Sequence, residues 1–215
     1  MVGMHIGVLA LQGAFREHRL ALEKCGAKVT EIRLPLSSSA CAGLEELDGM
    51  VLPGGESTTM GRLLGETGLL EPLQRCGRCG MPMYGSCAGL ILLCREIEGP
   101  DGALLQQPRL GLLDARVRRN AFGRQVDSFE TSLPVAGVAD DFEAVFIRAP
   151  LIASCGEGVE ILSRVEGPSG VYPVAVKQGN IVATSFHPEL TEDLRFHEFF
   201  LSLCRKWRES GGSAA

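Results

Sequence analysis

The segment Met83-Tyr84-Gly85-Ser86-Cys87-Ala88-Gly89-Leu90 holds the residues best suited to covalent chemistry. An apolar run ends, a Gly-x-Cys-x-Gly turn follows, and a helical apolar run begins. This is the pattern of a nucleophile elbow with Cys in place of Ser. A sharp turn needs small neighbours, supplied by Gly85 and Gly89. It lifts the side chain above the strand edge at a helix start, where the dipole favours a thiolate over a thiol. The N–H of Ala88 is then free to meet an oxyanion. Ser86 is the rival nucleophile, but the glycines do not flank it symmetrically.

A thiolate nucleophile needs a base that is itself oriented. His187-Pro188-Glu189 offers both, after the apolar run 181–186. Residues two apart in extended chain face one side, so Glu189 is placed to hold the His187 ring toward Cys87. Open α/β sheets gather their sites at the carboxyl ends of strands, which would unite two residues a hundred positions apart. His5, His18 and His197 have no comparable partner in the sequence and read as surface or satisfied core residues. A third segment, Leu52-Pro53-Gly54-Gly55-Glu56-Ser57-Thr58-Thr59, ends another apolar run. Its paired glycines permit a peptide orientation that a Cβ opposes, so Gly55 is the expected second oxyanion donor. A phosphate cradle is the weaker reading, because Gly-Lys-Ser/Thr is missing.

Other features point away from metals and polyanions. Cys76-Gly77-Arg78-Cys79 has no second cysteine pair and ends a helical run. With His187-x-Glu189 it has the wrong order for a zinc deaminase. No metal site and no cofactor motif is supported. Lys and Arg total 21 against 26 Asp and Glu, giving a net charge of −5. No basic run exceeds Arg118-Arg119 or Arg205-Lys206, so no footprint for nucleic acid or an anionic membrane exists. Eight cysteines in 215 residues fall short of a disulfide scaffold. There is no long apolar span and no signal-peptide pattern at the N-terminus, so a cytoplasmic protein with reduced thiols and a single domain over 1–215 is expected.

The elements that must position these residues follow from hydrophobic periodicity. Residues 5–11, 28–34, 48–52 and 81–84 read as strands. Residues 14–25, 57–76 (broken near Gly65 to Gly68) and 88–97 read as helices, with a short helix through Leu47 after the Ser37-Ser38-Ser39 loop. The alternation indicates an α/β domain with a mainly parallel sheet. In the second half, 112–118, 144–148, 159–165, 171–177 and 181–186 are short strand-like runs between turns, and a hairpin fits around Gly179-Asn180. A last helix over 192–208 repeats Phe196, Phe199/Phe200, Leu203 and Trp207 on one face.

Taken together, these motifs resemble the class I (triad) glutamine amidotransferases, and among them most closely the glutaminase subunits of pyridoxal 5′-phosphate synthase. The likeness is carried by Gly7-Val8-Leu9-Ala10-Leu11-Gln12-Gly13-Ala14, by the 52–59 and 85–89 segments, by Asn120-Ala121-Phe122-Gly123-Arg124-Gln125, by Phe146-Ile147-Arg148-Ala149-Pro150, and by Ser185-Phe186-His187-Pro188-Glu189-Leu190-Thr191. Ser86 stands where the family pattern has Thr, residues 100–109 match loosely, and the tail does not match.

The resemblance implies a three-layer, flavodoxin-like fold with helices on both faces of a mostly parallel sheet and an added antiparallel part. It implies Cys87 as nucleophile, His187 as base and acid, and Glu189 as orienting carboxylate. It also implies that Gly55, Glu56 and Ser57 line a glutamine pocket, with Arg119, Ile147 and Arg148 as further contacts. L-glutamine is then the substrate. A synthase subunit that builds pyridoxal 5′-phosphate from a pentose phosphate and a triose phosphate is the partner, faced by the Gln12 region. The isolated glutaminase is expected to be weakly active until that partner orders its oxyanion hole. The rival readings are a glutaminase serving another synthase, such as that for imidazole glycerol phosphate, a cysteine hydrolase or peptidase of similar fold, and a catalytically silent partner-binding module.

Overall fold

The computed structural model describes residues 3–39, 43–119, 128–167 and 170–212. The first half runs β1 (His5–Leu9), α1 (Phe15–Lys24), β2 (Lys28–Ile32), β3 (Gly49–Leu52), α2 (Ser57–Glu66), α3 (Leu70–Arg78), β4 (Met83–Ser86), α4 (Ala88–Leu93) and β5 (Cys94–Glu98). The second half adds β6 (Leu113–Arg118), β7 (Ser128–Val135), β8 (Ala139–Ile147), β9 (Leu151–Cys155), β10 (Glu160–Gly167), β11 (Gly170–Gln178), β12 (Ile181–Thr184) and α5 (Arg195–Glu209). The expected break in the 57–76 run falls between α2 and α3. No helix among the described residues is long and apolar enough to cross a membrane.

The main sheet has the order β10-β11-β12-β4-β3-β1-β2. The strands from β12 to β2 are parallel, and β10-β11-β12 are antiparallel. The β11–β12 hairpin turns at Gly179-Asn180, as its turn residues require. Alternate residues of the strands feed two cores. Ile6, Val8, Val51, Tyr84 and Val182 pack on one face with Leu22 of α1 and Phe196 and Phe200 of α5. Met50, Leu52, Met83 and Ala183 pack on the other with Met60, Leu73 and Leu90 from α2, α3 and α4. Helices on both faces of a mostly parallel sheet give the three layers expected.

Two smaller sheets, β5-β6-β9 and β7-β8, flank this body. They account for the differences from the sequence reading. The helix expected over 88–97 stops at Leu93, and residues 94–98 pair in parallel with β6. Leu90 to Leu93 are all buried, so their run has no polar face from which periodicity would reveal a change of structure. β7 was not expected at all. Its exposed Ser128, Glu130 and Ser132 give it the composition of a loop, and its pairing with β8 makes it a strand. β9 begins directly after Pro150 and was likewise missed.

Candidate active site

Four parallel strands, β1, β3, β4 and β12, deliver the predicted residues to one edge of the sheet. Thr184 pairs with Ser86 and Leu52 with Gly85, so the loops after β12, β4 and β3 start side by side. The Cys87 N–H donates to the Thr184 carbonyl at 2.8 Å and ties the elbow to β12. Cys87 has φ 47° and ψ −99°, a strained left-handed conformation for a residue with a side chain. Its neighbours explain how the turn closes. A Cβ on Gly85 would lie 2.5 Å from the Gly89 carbonyl carbon, and one on Gly89 would run into the Leu52 carbonyl oxygen. The helix that follows has only six residues.

His187 is anchored by its N–H, which donates to the Val145 carbonyl of β8 at 2.8 Å. Pro188 presets the backbone for the 3₁₀ turn Pro188–Leu190, which folds Glu189 back under the ring. Glu189 Oε1 then accepts from His187 Nδ1 at 2.8 Å, and the Glu189 side chain is fully buried. This leaves the second ring nitrogen for Cys87. Burial alone would lower the His187 pKa, but contact with Cys87 and with Glu189 outweighs it and raises the group to about 10. Burial alone would raise the Glu189 carboxyl. The imidazoles of His18 and His187 outweigh that and hold it well below the usual carboxylate range.

The paired glycines divide the work. A Cβ on Gly54 would collide with the His187 ring, so Gly54 exists to let the base approach. The Gly54 carbonyl accepts from the Ala14 N–H at 2.9 Å. In a trans peptide the Gly55 N–H points the opposite way, away from α1. Gln12 braces the same loop, its Oε1 accepting from the Glu56 N–H.

A cavity of about 370 Å³ joins these parts. Cys87, His187, Gln12, Gly55, Glu56, Ser57, Arg119, Ile147 and Arg148 all line it, together with Ile91 and Pro150, which the sequence reading did not single out. Ile91 is one helical turn beyond Cys87, a spacing that would have found it. Glu189 stands behind His187, and Ala88 lies buried at the base of the elbow. Gln12, expected at a partner surface, thus also walls the cavity.

Arg119 is not a solvated charge. Its guanidinium pairs with Glu56 at 2.8 Å and donates to Thr58 at 2.6 Å and Gln107 at 3.0 Å. Glu56 also caps α2, accepting from the Thr59 N–H at 2.8 Å. Arg148 has no ion-pair partner among the described residues and takes φ 43°. The Ser57 hydroxyl is buried and unpartnered among the described residues. The 120–125 segment and Cys41 lie outside them. Cys76 is buried in α3 and Cys79 is exposed just past its end, as expected of a pair that closes a helix. A larger, open groove of about 690 Å³ between residues 134–140 and 161–164 contains none of the predicted residues.

Two residues behind the site make contacts that the sequence did not reveal. Ser86 is fully buried, with its hydroxyl donating to Glu189 Oε1 at 3.1 Å. It lines no part of the cavity, which removes the geometry it would need as a rival nucleophile. His18 is the buried, satisfied core residue expected, but it sits beside the acid: its Nε2 lies 3.4 Å from Glu189 Oε2. Nothing in a lone histidine on α1 signals a carboxylate 171 positions later.

Known proteins share this sequence pattern and fold. The model of the SNO glutamine amidotransferase family matches residues 8–206. A protein of Pelotomaculum thermopropionicum named pyridoxal 5′-phosphate synthase subunit PdxT is 52% identical over 202 residues, 94% of this chain and 95% of the relative. A protein of the same name from Deinococcus radiodurans is 53% identical over 200 residues, 93% of this chain and 97% of the relative. A crystal structure of a glutamine amidotransferase, 48% identical, covers 93% of this chain and 98% of its own with a TM-score of 0.82. PurLQS from Thermotoga maritima shares the fold at 16% identity and a TM-score of 0.65, over 94% of this chain and 99% of that one. The chain belongs to the SNO glutamine amidotransferase family.

Proposed function

We propose that this amidotransferase is the cytoplasmic glutaminase subunit of a pyridoxal 5′-phosphate synthase, a single domain that hydrolyses L-glutamine with Cys87, His187 and Glu189 and passes the ammonia to a synthase subunit. The observation that carries the reading is one cavity lined by both Cys87 and His187, with Glu189 2.8 Å behind the ring. The cavity suits a zwitterionic amino acid. Arg148, with no ion-pair partner among the described residues, offers a guanidinium for the α-carboxylate, Glu56 offers a carboxylate for the α-ammonium, and the Ser57 hydroxyl, unpartnered among the described residues, offers a further hydrogen bond.

The Cys87 thiolate attacks the side-chain carboxamide carbon. The C–S bond forms as the carbonyl π pair moves to oxygen, and the N–H groups of Ala88 and Gly55 hold that oxyanion. Protonated His187 gives its Nε2 proton to the departing amine, the C–N bond breaks, and ammonia leaves a thioester. Acylation removes the negative sulfur that helped raise the His187 pKa. The ring is then free to take a proton from water, which attacks the thioester and releases glutamate. Glu189 keeps the tautomer and orientation throughout.

Two measurements bear on this reading. Adding the synthase subunit should increase glutamate release, retain the chain in a pull-down, and let glutamine replace free ammonia in pyridoxal phosphate formation. A chain that neither binds that subunit nor supports glutamine-dependent synthesis would belong to another synthase. Protonated His187 is needed to expel ammonia, and its pKa is raised to about 10. The kcat/KM for glutamine in the complex should therefore fall as pH rises through about 10, and a limb near pH 7 would reject the ion pair.

A further inference from the structure

Behind Glu189 lies a buried chain of hydrogen bonds that the reaction just described does not use. His18, His197 and Ser86 are all fully buried, on α1, α5 and β4. His18 Nδ1 is 3.0 Å from His197 Nε2, and His18 Nε2 is 2.9 Å from Ser86 Oγ. Ser86 Oγ is 3.1 Å from Glu189 Oε1, the oxygen that also meets His187. Glu189 Oε2 has no hydrogen-bond partner among the described residues and lies 3.4 Å from His18 Nε2.

The directions of these bonds follow from one unpartnered atom. His197 Nδ1 is buried and meets no hydrogen-bond partner among the described residues. A buried lone pair costs less than a buried orphan N–H, so the His197 proton sits on Nε2 and points at His18 Nδ1. His18 Nδ1 must then accept, which leaves the His18 proton on Nε2. That proton faces Ser86 Oγ, whose own proton is free for Glu189 Oε1. Every donor along the line points toward the carboxylate. Tyr84 walls the chain, its ring edge-on to His18 with centroids 5.5 Å apart.

We infer that His18, through Ser86, is a positioning residue that holds the Glu189 carboxylate in the one orientation that aligns His187 with Cys87. A carboxylate bonded only to His187 would rotate about its own side chain and take the ring with it. The Ser86 hydroxyl of β4, itself held by His18 of α1, removes that freedom. The same logic explains why a hydroxyl at position 86 matters although it never reaches substrate. The inference rests on the Cys87–His187–Glu189 reading, and it adds a support that this reading does not require.

The test uses the full chain with its synthase subunit and compares His18→Leu with His18→Gln, whose amide N–H reaches the place of Nε2. It also compares Ser86→Ala with Ser86→Thr, which keeps the hydroxyl. His18→Leu and Ser86→Ala should lower kcat by between about tenfold and a hundredfold, the cost of a misplaced catalytic group. KM should stay within about twofold, because neither residue touches the cavity. The Gln and Thr variants should recover most of the loss. The low-field proton resonance of His187 Nδ1–H should weaken or vanish in the Leu and Ala variants only. The double variant His18→Leu/Ser86→Ala should be no slower than its worse parent, since both act in one line. An unchanged kcat and resonance would overturn the inference, as would Gln and Thr variants no better than Leu and Ala. If His18→Leu does not fold, the Ser86 pair decides by the same criteria. Cys87→Ala separates the two layers: turnover surviving there sinks the triad itself, whereas silent Ser86 and His18 variants beside a dead Cys87→Ala remove only the positioning chain.

Discussion

Cys87→Ala is expected to abolish glutamine hydrolysis in the presence of the synthase subunit, lowering glutamate release by at least about 10⁴-fold, the scale seen when a nucleophile is removed. The change deletes one sulfur atom from a buried elbow whose strained backbone is set by Gly85, Gly89 and the Cys87–Thr184 hydrogen bond, none of which depends on the thiol. Folding and capture by the partner should therefore survive. A glutamine-analogue electrophile should label the wild-type chain once, at Cys87, and the variant not at all. Turnover above a hundredth of wild type would mean a different nucleophile. Ser86 carries the adjacent hydroxyl, and it is turned toward Glu189 and His18 instead of the cavity.

Glu189→Gln should lower kcat by about 10³–10⁴-fold with little change in KM, by analogy with an orienting acid exchanged for its amide. A glutamine amide that keeps its oxygen on His187 Nδ1 buries its NH₂ beside His18 Nε2, a nitrogen that carries a proton and cannot accept. If it flips, the NH₂ faces His187 Nδ1 and forces the wrong tautomer. Either way the base is spoiled.

The same variant reports on stability, with a sign that the pKa directions fix. The Glu189 carboxyl is held below its ordinary value of 4.5, so its contribution is present above that pH and fades as pH falls. His187 is raised from 6.5 to about 10, so its contribution is full below 6.5 and fades as pH rises through about 10. The gap in Tm between wild type and Glu189→Gln should be widest between about pH 4.5 and 6.5. A gap that keeps growing from pH 6.5 to 10 would contradict the pairing.

Most of the cavity lining was legible in the sequence because its residues sit in short, chemically distinctive runs at strand ends. Gly-x-Cys-x-Gly marks a turn that only small flanks allow, and His-Pro-Glu after an apolar strand places an acid beside a base. Parallel pairing then does the assembly, since strand ends that share a sheet edge share a site. Gly54 shows where such reading loses resolution: two adjacent glycines looked alike, yet one clears the path of the His187 ring and the other faces Gln12. The β5 and β7 strands show the same loss at the level of elements, where an all-buried run and a polar run both hide their period.

Local order in the chain singled out the candidate nucleophile, base and orienting carboxylate, and the α/β alternation, because each is encoded within about ten residues by turn chemistry and hydrophobic period. Long-range packing established the rest: Arg119 locked onto Glu56, Ile91 and Pro150 walling the cavity, and His18, Ser86 and His197 lined up behind Glu189. Those contacts join α1, β4 and α5, elements up to 179 positions apart. A side chain's type does not say which distant group will face it once the sheet and its two helical layers close.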